Sequence, residues 1–176
     1  MPPGYHQAME LRSARPGDAE AIRSIYNAAV TGSTATFDLR PRTEAEQQAW
    51  MADHDGAHPA LVAADDDGTV LGFGSLSPYR DRPAYATTVE DSVYVDSSRR
   101  GQGVGRALLE ELVRLATRLG FHTVVARVGE ANDASIRLHV ACGFELVGTE
   151  REIGRKFGRW LDVVVLQRML DAPSTR

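Results

Sequence analysis

A chain of 176 residues, 43% hydrophobic and 25% charged, suits one globular domain that needs neither disulfide nor metal to close its core. Its net charge of −4 argues against a general nucleic-acid binder, which is ordinarily basic. A lone cysteine, Cys142, excludes an internal disulfide; the opening MPPGYHQAME has no charged-then-apolar leader, and no apolar run approaches the ~20 residues that span a bilayer, so the expectation is a cytoplasmic protein.

Residues 1–7 read as a flexible tail. From Ala8 to Ala14, Met9, Leu11 and Ser13 alternate with Glu10 and Arg12, which predicts a first strand. Pro16-Gly17-Asp18 opens a helix whose Ala21, Ile22, Ile25, Tyr26 and Ala29 fall on one face. Thr31–Pro41 is small, polar and irregular, with Phe37 in its middle. Thr43 and Glu46 form a capping box that starts a second helix through about Asp53. Ala60–Ala64 is a short apolar strand, Asp65–Gly68 a hairpin turn, and Val70–Leu76 the returning strand.

Ser77–Ala84 is a turn-rich loop with two arginines, and Thr87–Val95 is a longer strand. A helix from Gly105 to Leu119 stacks Leu108, Leu112, Leu115 and Leu119 on one side, with Gly120 as its C-cap. Thr123–Val128 reads as a buried strand and Asn132–Cys142 as a helix stopped by Gly143. Phe144–Thr149 and Leu161–Leu170 close the pattern as two strands joined by a basic loop, Arg155–Arg159, before a C-terminal tail at 172–176. The order predicts an α+β fold: a mixed, mostly antiparallel sheet of about seven strands with helices on both faces, in a single domain over 8–171.

Between the Val93-Tyr94-Val95 strand and the third helix lies Arg99-Arg100-Gly101-Gln102-Gly103-Val104-Gly105-Arg106. It is not a Walker A loop, which needs Lys followed by Ser or Thr, nor a dinucleotide fingerprint, whose third glycine is Arg106 here. The physical content is that of an anion site. Glycines let backbone N–H groups approach a ligand, the helix start directs its positive end at it, and the arginines add charge-assisted contacts. That describes a pyrophosphate cradle, against the plainer reading of a strained strand–helix turn.

The run Arg100-Gly101-Gln102-Gly103-Val104-Gly105 resembles the acyl-CoA loop of the GNAT superfamily of N-acetyltransferases, and Asn132, Ser135, His139, Gly143 and Phe144 resemble its following helix motif. The likeness extends from about Met9 to Leu170. Within the superfamily, Ser33–Phe37, Thr88–Val95 and Lys156–Asp162 resemble the phosphinothricin and methionine sulfoximine (L-amino acid) acetyltransferases. The resemblance implies direct transfer of acetyl from acetyl-CoA to the α-amino group of a small amino-acid-like acceptor, and a homodimer; antibiotic or herbicide resistance and ordinary metabolism both stay open as its role. Charge and the lack of an apolar run already argue against nucleic-acid and membrane partners, and metal-ligand spacing is absent from the sequence.

The same resemblance implies roles for particular residues. Glu90 is the expected general base, with a solvated strand glutamate as the plain reading and Asp91, on the opposite strand face, as the rival. His139 is the expected proton donor to the leaving thiolate, or a packing histidine. The cofactor set is Val93, Tyr94, Val95, Arg100, Gly101, Gln102, Gly103, Val104, Gly105, Arg106, Asn132 and Ser135. Tyr94 also reads as a core aromatic and Asn132 as a helix N-cap. Arg80 or Arg82 would clamp the acceptor's carboxylate and Phe37 and Tyr85 would wall its pocket, although surface arginines are ordinarily solvated. Phe157 and Trp160 fit either the pocket or a subunit contact. A Cys142–His139 nucleophilic pair has no third partner, and a small buried residue is the simpler reading. Other acceptors (a polyamine, an aminoglycoside, a protein N-terminus) and a non-catalytic acyl-CoA sensor are the alternatives.

Overall fold

The computed structural model describes residues 9–129 and 132–170. The expected tails, and Ala8 at the opening of the first strand, lie outside that span. In chain order the elements are β1 (Glu10–Ser13), α1 (Ala19–Gly32), α2 (Glu44–Asp53), β2 (Ala60–Ala64), β3 (Val70–Pro78), β4 (Thr88–Val95), α3 (Val104–Arg118), β5 (Thr123–Gly129), α4 (Asp133–Ala141), β6 (Glu145–Lys156) and β7 (Arg159–Met169). They form the expected α+β fold. One seven-stranded sheet runs β1-β2-β3-β4-β5-β7-β6, antiparallel throughout except between β4 and β5.

Two apolar clusters flank the sheet. Leu108, Leu109 and Leu112 of α3 bury against Leu61, Ala63, Val124 and Ala126 on one face; Ile22, Ile25 and Tyr26 of α1 bury against Val62 and Phe73 on the other. The period-two alternation of strands sends neighbours in ALVAA to opposite clusters, which is why that segment is apolar throughout. Each fully buried leucine contributes about 1.5–3 kcal/mol through its removal from water. The capping box at α2 forms as expected: Thr43 Oγ1 accepts from Glu46 N at 3.2 Å, and Glu46 accepts from Thr43 N at 2.8 Å.

The largest departure from the sequence reading is at the end of the chain. The basic segment Arg155–Arg159 is not a loop: Arg155 pairs with Trp160 and Lys156 with Arg159, and the chain reverses at Phe157-Gly158. Both turn residues have positive φ, +50° and +74°. That is the requirement of a two-residue hairpin turn. Only the second is a glycine, so the pattern does not announce the turn.

The short pairing of β4 with β5 shapes the site. β4 and β5 pair only where Thr88–Glu90 lie beside Thr123–Val125. Past that point β4 stays with β3 as far as Val95 and β5 stays with β7 as far as Gly129. The two parallel strands therefore split apart, leaving an opening between them. Among the described residues, no helix is long and apolar enough to cross a membrane, and no group of His, Cys, Asp or Glu side chains could hold a metal ion.

Candidate active site

The glycine-rich segment forms a turn between β4 and α3. Gly101 and Gly103 have φ of +73° and +85°, a region that side-chain-bearing residues rarely adopt. Gly103 is the N-cap of α3, so the free N–H groups of the first turn point out of the loop. Asp96 steadies the approach by accepting from Ser98 N at 2.9 Å, and Gln102 donates to the Ser98 carbonyl at 3.1 Å. Arg106 turns along the helix to Glu110 (2.8 Å) and Arg99 faces Asp65 (3.7 Å), whereas Arg100 makes no ion pair among the described residues. The loop closes one end of a cleft of about 670 Å³ whose walls come from α1, from Val93–Val95 and from α4.

A second cleft, about 270 Å³, opens at the sheet split. Val93, Tyr94, Asn132, Ser135 and Ala35 line both clefts, so the two meet at the split. Glu90, Arg127 and Phe37 line only the smaller one. Phe37 is seated by glycines: a Cβ on Gly154 would collide with its ring, and one on Gly129 would strike the Thr34 carbonyl. Lys156, buried, fixes the same loop by donating to the Thr36 carbonyl at 2.8 Å.

Glu90 and His139 face the smaller cleft from opposite sides. Strand alternation sets Glu90 on the face that carries Tyr94, toward α1, and Asp91 on the face toward α4. Burial raises the Glu90 carboxyl above the usual carboxylate range; Arg127 and, more weakly, Arg80 oppose this, and Asp91 and Glu150 reinforce it. On the α4 side, His139 Nε2 lies 3.0 Å from Asp91 Oδ2, and Nδ1 lies 2.7 Å from the Ser135 carbonyl oxygen. An acceptor at each nitrogen, with the Ser135 hydroxyl a longer 3.4 Å from Nδ1, favours the doubly protonated ring. Burial alone would lower the His139 pKa; the hydrogen bond and charge of Asp91 overcome it and raise it. Phe144 meets the ring edge-on at 5.0 Å. The second oxygen of Asp91 is buried without a hydrogen-bond partner among the described residues.

A family model described as the acetyltransferase (GNAT) family matches residues 20–144. The chain belongs to the GNAT acetyltransferase family. It is 42% identical over 162 residues to an L-methionine sulfoximine/L-methionine sulfone acetyltransferase of Pseudomonas paraeruginosa, covering 92% of this chain and 94% of that protein. It is 41% identical to a phosphinothricin N-acetyltransferase of Streptomyces coelicolor, covering 89% and 95%. A GNAT phosphinothricin acetyltransferase from Sinorhizobium meliloti, solved with acetyl-CoA, superposes with a TM-score of 0.90 at 41% identity, covering 96% of this chain and 92% of that one.

For a GNAT acetyltransferase the co-substrate is acetyl-CoA, and the larger cleft suits it. It has an apolar run for an extended arm and, at its far end, a positive-φ glycine loop with Arg100 for a pyrophosphate. Of the residues expected to hold the cofactor, all but Gln102 line this cleft. Asn132 is the N-cap of α4, its Oδ1 accepting from Ser135 N at 3.2 Å, and it also lines this cleft. The Tyr94 ring turns into the α1 core, stacked on Phe73 at 5.3 Å, which leaves its backbone at the split. Arg80, Arg82 and Tyr85 do not line the smaller cleft; the Arg80 guanidinium lies over Tyr79 and Tyr85, 4.9 and 5.8 Å from their centroids. Burial raises the Cys142 thiol pKa, which disfavours a thiolate nucleophile. Arg127, which lines the smaller cleft, and its ion-pair partner Glu150 were not singled out by the sequence reading; nothing in their local patterns marks them.

The cradle carries one prediction. Gly103→Val forces a β-branched residue into φ near +85°, and the left-handed conformation costs an ordinary residue about 1–2 kcal/mol. The loop then relaxes and its N–H groups lose their aim. Acetyl-CoA affinity, measured by calorimetry, should fall about tenfold; unaltered affinity would place the pyrophosphate elsewhere.

Proposed function

We propose that the chain is a direct N-acetyltransferase for the α-amino group of a small amino-acid-like acceptor, of the phosphinothricin or methionine sulfoximine/sulfone kind, with Glu90 as general base and His139 as general acid. The observation that carries this reading is the placement of those two groups on opposite faces of the sheet at the split where the two clefts meet.

Acetyl-CoA, when bound, supplies the activated acetyl group. The edge of β4 that leaves β5 after Glu90 has no strand partner on that side among the described residues, so its backbone N–H groups are available to the opening and to a polarised carbonyl. Glu90, raised by burial, takes a proton from the acceptor's ammonium, directly or through a water. His139, held as an imidazolium by Asp91 and the Ser135 carbonyl, keeps a proton on the far side of the split for the departing sulfur. Phe37 walls the acceptor side. The curated relatives' names support the acceptor class.

Exposed Ile153, Phe157 and Trp160 on the β6–β7 hairpin support a homodimer, and the lone buried Cys142 suits a reducing cytoplasm. Turnover is tested by thiol release from acetyl-CoA with phosphinothricin, methionine sulfoximine, methionine sulfone and the twenty amino acids offered separately. Strong release on the analogues is expected. Acetyl-CoA binding with no release on any of them would remove the amino-acid reading and leave a different amine or a sensor.

A further inference from the structure

The acetyl-transfer chemistry leaves one charged pair in the acceptor cleft without a task. Glu90 pairs with Val125 across the parallel ladder, so Arg127, two residues on, shares its face. Arg127 is opposite Val165 on β7, and Glu150 of β6 is opposite Val163, which brings Glu150 to the same face two strands away. The Arg127 side chain reaches across β7, and its Nη2 lies 2.5 Å from Glu150 Oε2. Both side chains are part-exposed, 27% and 32%, but the Glu150 oxygen beside Arg127 is buried; it is Arg127 that lines the cleft, where a ligand can reach it. Arg127 is the one arginine or lysine lining this cleft among the described residues.

A purely structural role explains the pair poorly. Its two strands are already tied to β7 by continuous backbone ladders. A partly exposed ion pair adds at most a small increment to stability. A guanidinium at the wall of a binding cleft, by contrast, presents five N–H donors in a rigid fork, and one carboxylate cannot use them all. Its charge reaches Glu90, so whatever it binds sits beside the base.

We propose that Arg127 is a specificity-determining residue that binds an oxyanion of the acceptor, carboxylate or phosphinate, beside Glu90, with Glu150 orienting the fork. The proposal rests on the reading of the chain as an acetyltransferase for an amino-acid-like amine. Glu150 fixes the guanidinium at its Nη2 and leaves the rest of the fork for a bidentate contact, which adds direction as well as affinity. A neutral acceptor gains nothing from this group, so the cleft selects anionic amino-acid-like amines over polyamines and aminoglycosides.

The test is the KM of Arg127→Met against wild type for three acceptors: phosphinothricin, with an α-carboxylate and a phosphinate; methionine sulfone, with the α-carboxylate only; and methionine sulfone amide, with neither. Loss of a charged hydrogen bond should raise KM about ten- to a hundredfold for an acceptor whose oxyanion Arg127 binds. A rise for the first two relative to the amide assigns the α-carboxylate; a rise for phosphinothricin alone assigns the side-chain oxyanion. An equal change on all three, or none, overturns the proposal. Should Arg127→Met fail to fold, Arg127→Lys keeps the charge, loses the fork and should show a smaller change in the same order. If wild type turns over none of the three, the transfer reading fails on its own. The Arg127 proposal is then decided by calorimetric binding of phosphinothricin: binding that Arg127→Met weakens supports it, and no binding to wild type overturns it.

Discussion

Glu90→Gln is expected to lower kcat by about 10²- to 10⁴-fold while acetyl-CoA binding stays as in wild type. The amide keeps the size and much of the hydrogen bonding of the carboxyl but cannot take a proton. Glu90 stands in the acceptor cleft and the cofactor cradle lies at the far end of the other one, so the two functions should separate in one variant. The pH profile adds a second reading. Burial raises the Glu90 carboxyl, so its base form is depleted as pH falls, beginning above the usual carboxylate range. Wild-type kcat/KM should therefore decline on the acid side above pH ~4.3, the ordinary glutamate value. Glu90→Gln should flatten that limb. A profile that keeps its acid limb in the variant would assign the limb, and the base, to another group.

Asp91→Asn should move the opposite, alkaline limb. His139 owes its raised pKa to the hydrogen bond and charge of Asp91, against the burial that would otherwise lower it. Without that charge, burial prevails and the ring gives up its second proton at lower pH. The alkaline decline in kcat should therefore shift toward neutrality, with KM for acetyl-CoA little changed. Stability follows the same linkage. Because the folded-state pKa of His139 is raised, its contribution is fully present below the unfolded value near 6.5 and is lost as pH rises through the folded value. Asp91→Asn strands a buried imidazolium at low pH and costs about 3 kcal/mol there, the scale of a broken buried pair. For a chain of this length that is a drop in Tm of roughly 6 to 12 °C, shrinking toward zero as His139 becomes neutral in both proteins. A deficit independent of pH would mean that the pair contributes packing and not charge, and an unmoved alkaline limb would remove His139 as the acid.

Much of the fold was legible before any coordinates. Helical spacing in α1 and α3, the Thr43–Glu46 capping box and the unbroken apolar run of β2 are local patterns with local causes, and each element forms within a few residues of its expected position. The β6–β7 turn was not legible. Positive φ at Phe157 is imposed by the pairing of the strands around it, and nothing in the residue itself asks for it. The candidate site divides in the same way. The glycine cradle is contiguous in sequence, so spacing alone displayed it.

The other groups meet only across the folded sheet. Alternation along β4 set Asp91 on the face away from Glu90 and made it look like a rival. The topology then placed α4 on that face and brought His139, 48 residues later, to 3.0 Å. Arg127 and Glu150 are joined over an intervening strand whose register no local pattern encodes. Arg80 and Arg82, prominent in a loop beside the Glu90 strand, are near it in sequence yet do not line its cleft. The sequence by itself determined the elements, their order, the amphipathic faces and the phosphate-type loop, because these depend on residues within a turn or a strand of each other. Only the tertiary structure decided where the sheet splits, which charges share a face and which cation lines the smaller cleft, because those depend on strand order and register between segments far apart in the chain.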